Sequence, residues 1–127
     1  MREMKFRGKF SKDKEWKYGF LGRGKNFHTG KKYLLIQHSD IESTQVENSS
    51  IGQYTGLKDK NGKEIYEGDI CRSEEFVIIA PIEYCNLNTR FNFAWKKAFW
   101  YEDGNSWGND LVVIGNIYED KELITNE

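Results

Sequence analysis

Ser50-Ile-Gly-Gln-Tyr-Thr-Gly-Leu-Lys-Asp-Lys-Asn-Gly-Lys-Glu-Ile-Tyr-Glu-Gly-Asp-Ile70 is the densest run of turn residues in the chain. Gly52, Gly56, Gly62 and Gly68 punctuate it, and Ile51, Leu57, Ile65 and Ile70 give it apolar anchors. The spacing predicts strand, turn, short strand, tight corner, strand. Asn61-Gly62 lies at the tip of the first turn, and both residue types tolerate positive φ, which predicts a type I′ hairpin. Ile65 is the expected buried residue of the short strand. Tyr66-Glu67-Gly68-Asp69 turns the chain again, with Gly68 in a conformation that a Cβ would forbid and Asp69 bonding the amides of its own turn.

On the N-terminal side, Met4, Phe6 and Phe10 alternate with Lys5, Arg7 and Lys9, and Trp16, Tyr18 and Phe20 alternate in their turn. Period-two runs joined by a polar connection predict an opening hairpin with aromatics on one face. Leu21 to Asn26 reads as a basic, glycine-rich loop, and Tyr33 to Gln37 as a strand. Ser39 to Ser50 fits either a short helical turn or an irregular strand. On the C-terminal side, Phe76 to Tyr84 reads as a strand, and Pro81, which lacks a donor, places it on an edge or at a bulge. Phe91, Phe93 and Trp95 alternate, Leu111 to Ile114 is a buried strand ended by Gly115, and Asp120 to Ile124 is one closing turn of helix.

The chain has 127 residues, enough for one domain with its own core. We therefore expect a single domain, 1–127, with an N-terminal hairpin and variable lobe at 1–49 and a barrel-like lobe at 50–124. A formal net charge of −1 argues against a strongly basic nucleic-acid binder. Cys71 and Cys85 are too few for a disulfide framework or a zinc site, and a reducing, cytoplasmic setting is the simpler expectation. No charged-then-apolar leader opens the sequence, and no apolar run is long enough to span a bilayer.

The run Ile51 to Ile70 closely resembles the signature of the YopX family of phage and prophage proteins. Met1 to Arg7 resembles that family's opening strand, and Val113-Ile-Gly-Asn-Ile-Tyr-Glu119 its closing segment. The resemblance implies a phage or prophage source and a bacterial cytoplasmic location. It implies no particular activity. Gly-Asp-Ile after a turn also resembles small SH3-like barrels. The expected fold is thus mainly β, with a small SH3-like or related barrel, an added N-terminal hairpin and little helix.

Four constellations are candidates for chemistry, each weighed against a structural reading. Asp59 to Gly62 resembles the middle of a calcium-binding loop, but the alignment puts Leu57 and Gly68 where ligands are needed. Asp59, Glu64, Glu67 and Asp69 are the acids of a hydrolase reading, set against interspersed Lys58, Lys60 and Lys63 that mark a solvated face. His28 and His38 make no recognised ligand spacing. The aromatic-basic region has Arg90, Lys96, Lys97, Trp100 and Trp107 as candidate binding residues; its alternating aromatics read first as core packing, and those left exposed suit a protein interface or stacking of single-stranded bases. The motif residues Gly52, Gln53, Tyr54, Gly56, Asp59, Asn61, Gly62, Ile65, Tyr66, Glu67, Gly68 and Asp69 are expected to be structural. The expectation is a non-enzymatic phage or prophage accessory protein without cofactor or metal. It would bind a host or phage protein or a second copy of itself, with nucleic-acid binding as the alternative.

Overall fold

The computed structural model describes residues 5–10, 12–74, 78–85, 90–93 and 111–124. The described chain is mainly β, with strands in two antiparallel sheets and only short 3-10 turns. It divides into two compact units, 1–54 and 55–127.

The first unit begins with β1 (Phe6–Lys9) and β2 (Trp16–Lys25), the expected hairpin, followed by β3 (Lys32–Gln37) and β4 (Ser43–Gln45). The strands lie in the order β4-β3-β2-β1, and the start of β5 (Gly52–Lys58) pairs on the free side of β1. Both readings of residues 39–50 are realised, because β4 is followed by a 3-10 turn at Asn48–Ser50. That turn is anchored on β1. Glu47 N–H donates to the Lys9 carbonyl at 2.9 Å, and Lys9 N–H donates to Ser50 Oγ at 2.8 Å. Ile36 and Val46 are buried, and Gly8 leaves room for Val46, whose Cγ2 lies 2.7 Å from where a Cβ would stand.

Leu21 to Asn26 is not a loop up to Lys25. It is the second half of β2, paired with β3 from Phe20↔Gln37 to Lys25↔Lys32. Glycine weakens a strand because it offers nothing to pack, but here β3 supplies the cover. Leu35 lies over Gly22, and the Tyr33 ring occupies the place of the missing Gly24 Cβ.

The second unit pairs the end of β5 with β6 (Glu64–Tyr66) and holds a four-stranded sheet in the order β10-β7-β8-β9. These strands are β7 (Asp69–Ser73), β8 (Ile78–Cys85), β9 (Arg90–Phe93) and β10 (Leu111–Asn116). Ile65, Cys71, Ala80, Ile82 and Leu111 form its core, with Leu57 and Val113 packed against it. The strands do not close into a barrel. Among the described residues no pairing joins β9 back to β10, and both remain sheet edges.

Two strand details differ from expectation. Pro81 sits in an interior strand, opposite Ile70 on β7. On its other side, the described pairing of β8 with β9 runs from Ile82↔Phe93 to Cys85↔Arg90. Gly115 does not end β10. The register shifts between Val113 and Gly115, and pairing resumes to Asn116↔Asp69. The extra residue of this bulge is Ile114, and Gly115 itself pairs with Ile70.

Candidate binding surface

The acids of the central motif are bound into its architecture. Asp59 is buried, and its Oδ1 accepts the backbone N–H groups of Asn61 and Lys63 at 2.8 and 2.9 Å. Its Oδ2 accepts Val113 N–H on β10 at 3.0 Å. Asp69 is buried as well, and its Oδ2 accepts Tyr66 N–H at 2.8 Å. Glu64 accepts the Tyr66 hydroxyl at 2.9 Å, and Glu67 is half-buried in the corner. Carboxylates engaged this way shape turns. They do not form the paired acid and base of a hydrolase.

The turn they shape is not type I′. Asn61 keeps a negative φ, and Gly62 alone takes the left-handed conformation, at +85°. Gly62 N–H donates to the Asp59 carbonyl at 3.0 Å, and Asp59 N–H to the Lys63 carbonyl at 2.7 Å. This is a three-residue loop closed by a left-handed glycine. Gly68, at +93°, gives its N–H to Ile82 on β8 and its carbonyl to Ile117 N–H. Lys60 N–H reaches the Leu111 carbonyl at 2.9 Å. The motif therefore ties β8 and β10 to β6 and β7. Ile65 and Tyr66 are buried between these ties. In the first unit, Gly52 and Gln53 pair with Arg7 and Phe6, and Tyr54 is buried beneath the Lys5 ammonium, 5.4 Å from its ring centroid. Gly56, within β5, takes the left-handed conformation at +89°.

The histidines do not meet a common partner. His38 Nε2 lies 2.8 Å from Thr44 Oγ1, whereas His28 is exposed in the β2–β3 turn. Among the described residues no group of three His, Cys, Asp or Glu could hold a metal. Of the aromatic-basic candidates, Arg90 is the first residue of β9, opposite Cys85. Lys96, Lys97, Trp100 and Trp107 lie outside the described residues, as does Trp95.

A second aromatic-cationic cluster lies in the first unit, made by register, with Arg7 buried in it and Trp16 half-buried. The β1–β2 pairing sets Lys9 opposite Trp16 and Arg7 opposite Tyr18. Directly opposed residues share a face, so the β2 aromatics lie with the β1 cations and not with Phe6 and Phe10. The Arg7 guanidinium carbon is 4.6 Å from the Trp16 ring centroid and the Lys9 ammonium 5.9 Å from it. Both fall within the range of cation–π attraction, which helps hold this register. Further along β2, Tyr18 is 46 % exposed and Phe20 67 % exposed. A cavity of about 370 Å³ opens beside Phe20, lined also by Lys5, Gln37, His38 and Asp40.

Charge separates with the two units. Residues 1–54 carry 11 Lys and Arg against six Asp and Glu, and residues 55–127 carry eight against 14. The overall charge of −1 is the near-cancellation of a basic unit and an acidic one. Within the basic unit, Trp16 to Ser39 contains five Lys and Arg and no carboxylate side chain. That signal is present in the sequence, but the overall sum conceals it until the boundary is known.

No helix among the described residues is long and apolar enough to cross a membrane. No curated protein matches the chain. Among solved structures, protein EF1440 from Enterococcus faecalis is similar, with 25 % identity and a TM-score of 0.59. The match covers 97 % of this chain and 99 % of that one. Residues 5–125 match the model of the YopX protein family, and the chain therefore belongs to the YopX family.

Proposed function

We propose that this protein is a non-enzymatic binding module that engages nucleic acid through its first unit. The observation that carries the reading is the carboxylate-free β2–β3 hairpin, Trp16 to Ser39, in a unit with an excess of five positive charges. A local excess of positive charge attracts a polyanion and speeds its encounter. Phosphate contacts by Lys and Arg then supply affinity through counterion release. Tyr18 and Phe20 add exposed aromatic faces on which bases stack, each worth about 1–3 kcal/mol. The setting is that of a phage or prophage accessory protein in the bacterial cytoplasm.

The test is fluorescence anisotropy of labelled single-stranded and duplex oligonucleotides across a salt series. Binding that weakens steeply with salt is expected, with a log–log slope of roughly −0.7 to −0.9 per phosphate contact. No binding to either form at low salt refutes the reading.

Exposed apolar side chains favour a second reading. Ile41 is 93 % exposed beside Phe20's cavity-lining neighbours Ser39 and Asp40. Clustered exposed apolar groups mark protein interfaces. In this reading the module binds a host or phage protein, or a second copy of itself. A pull-down from host lysate separates the two, because a protein band that survives nuclease treatment belongs to the second reading alone.

A further inference from the structure

The β2–β3 hairpin ends in a turn built to hold an aromatic ring in solvent. Asn26 Oδ1 accepts the N–H groups of His28 and Thr29 at 2.9 and 3.1 Å. Asn26 N–H donates to the Lys31 carbonyl at 2.8 Å, and Gly30 N–H to the Asn26 carbonyl at 2.7 Å. Lys31 N–H in turn donates to Thr29 Oγ1 at 3.2 Å. At the apex of this bonded turn stands Phe27, 98 % exposed. A phenyl ring in that place gains nothing from burial, and any polar residue would cost the fold less.

The strands below the apex show a second departure from local stability. Lys25 and Lys32 are directly opposed in register and both are exposed. Like charges directly opposed on a sheet are destabilising. Arg23 projects from the same face as Lys25, and Lys31 adjoins the turn. All four cations are exposed, and no carboxylate lies in the hairpin to offset them. Departures of this kind from local consistency mark functional positions. A two-stranded antiparallel ribbon also fits the grooves of a duplex, and Phe is one of the side chains that wedge between base steps.

We propose that the β2–β3 hairpin is a duplex-binding arm. Arg23, Lys25, Lys31 and Lys32 contact the phosphates, and Phe27 inserts between adjacent base pairs and unstacks them. This rests on the nucleic-acid reading above and adds to it the form of nucleic acid and the residue that deforms it.

The test uses the full-length protein and a short duplex that carries 2-aminopurine at its centre and a donor–acceptor dye pair at its ends. Binding is expected to raise 2-aminopurine emission and shift energy transfer, reporting unstacking and bending. F27A should keep the circular dichroism spectrum and the salt slope, bind no more than about tenfold more weakly, and lose both signals, since the wedge and not phosphate contact makes the kink. The triple variant R23A/K25A/K32A should instead flatten the salt slope by up to about 2.7, at roughly 0.9 per contact. Duplex binding without either signal, or an F27A protein that keeps them, overturns the arm and leaves the nucleic-acid reading standing. Binding to single strands only does the same. Binding to phosphatidylserine vesicles and to no oligonucleotide overturns both.

Discussion

Asp59→Ala is the substitution that tests whether the central motif is architectural. Its carboxylate accepts three backbone N–H groups. Two belong to exposed turn residues, Asn61 and Lys63, where water can replace the lost acceptor. Hydrogen bonds to a charged group contribute about 1.5–3 kcal/mol when buried, and the typical net value is about 1 kcal/mol. The turn pair is therefore worth about 1 kcal/mol together after exposure is discounted, and the bond to Val113 about 2 kcal/mol, since Val113 packs on the core. The sum, about 3 kcal/mol, is a large part of the stability of a domain this size. Asp59→Asn retains one carbonyl for the turn. Where its amide nitrogen replaces Oδ2, it faces another donor, so about 2 kcal/mol should be lost. Urea unfolding followed by tryptophan fluorescence reads both, as a lower midpoint at unchanged slope. An Asp59→Ala protein within about 0.5 kcal/mol of the parent, the ordinary range for a neutral surface change, would show that the carboxylate does not hold the motif together.

Four further outcomes follow from the same geometry. Gly62→Ala places a Cβ in open space and should cost only the left-handed conformation, about 1–2 kcal/mol, whereas Gly68→Ala also presses a Cβ against Tyr118 at 3.0 Å and should cost more, both read by thermal unfolding. Lys32→Glu replaces a like-charge pair with an opposite one, so it should raise stability by about 0.5–1 kcal/mol while weakening nucleic-acid binding, read by unfolding and anisotropy on one sample. Arg7→Met removes the guanidinium stacked on Trp16 and should blue- or red-shift Trp16 emission with a loss of about 1–2 kcal/mol, and an unchanged spectrum and midpoint would refute that contact. The Arg72 guanidinium, hydrogen-bonded at 3.1 Å, holds the Glu74 carboxyl below its ordinary range. Its small contribution to stability should be present above the unfolded-state value and lost as pH falls through the lower folded value, and in Arg72→Ala an NMR titration of Glu74 should move up toward the ordinary range, with Lys60, 3.5 Å from the carboxylate, still lowering it.

The strands were legible where side chains alternate. Phe6 to Lys9 and Trp16 to Phe20 lie in β1 and β2 as their alternation predicts, and the apolar run Leu111 to Ile114 lies in β10. Register was not legible. The connection from Phe10 to Glu15, with Lys14 at φ +61°, sets which face of β1 the aromatics of β2 share, and no local pattern encodes that count. The second half of β2 was hidden because Gly22 and Gly24 look like loop residues until Leu35 and Tyr33 of another strand cover them. The turn at Asn61-Gly62 was misassigned because the dipeptide alone favours one geometry, while the Asp59 carboxylate binds two amides of the other. The hairpin surface was missed for a simpler reason, since a whole-chain charge of −1 averages two opposite units.

That charge division bears on how the protein behaves at high concentration. A chain with one basic block and one acidic block is a block polyampholyte, and opposite blocks of two copies attract electrostatically even though the sum is close to zero. The sequence isoelectric point of about 6.2 leaves little net repulsion at neutral pH to oppose this. Added salt screens the attraction over a Debye length of about 8–10 Å at moderate ionic strength. The protein should consequently salt in, becoming more soluble as sodium chloride rises from low to moderate concentration. A polyanion that neutralises the basic block would have a different effect. It would leave a complex of net negative charge, whose copies repel and which should therefore be more soluble than the free protein at low salt.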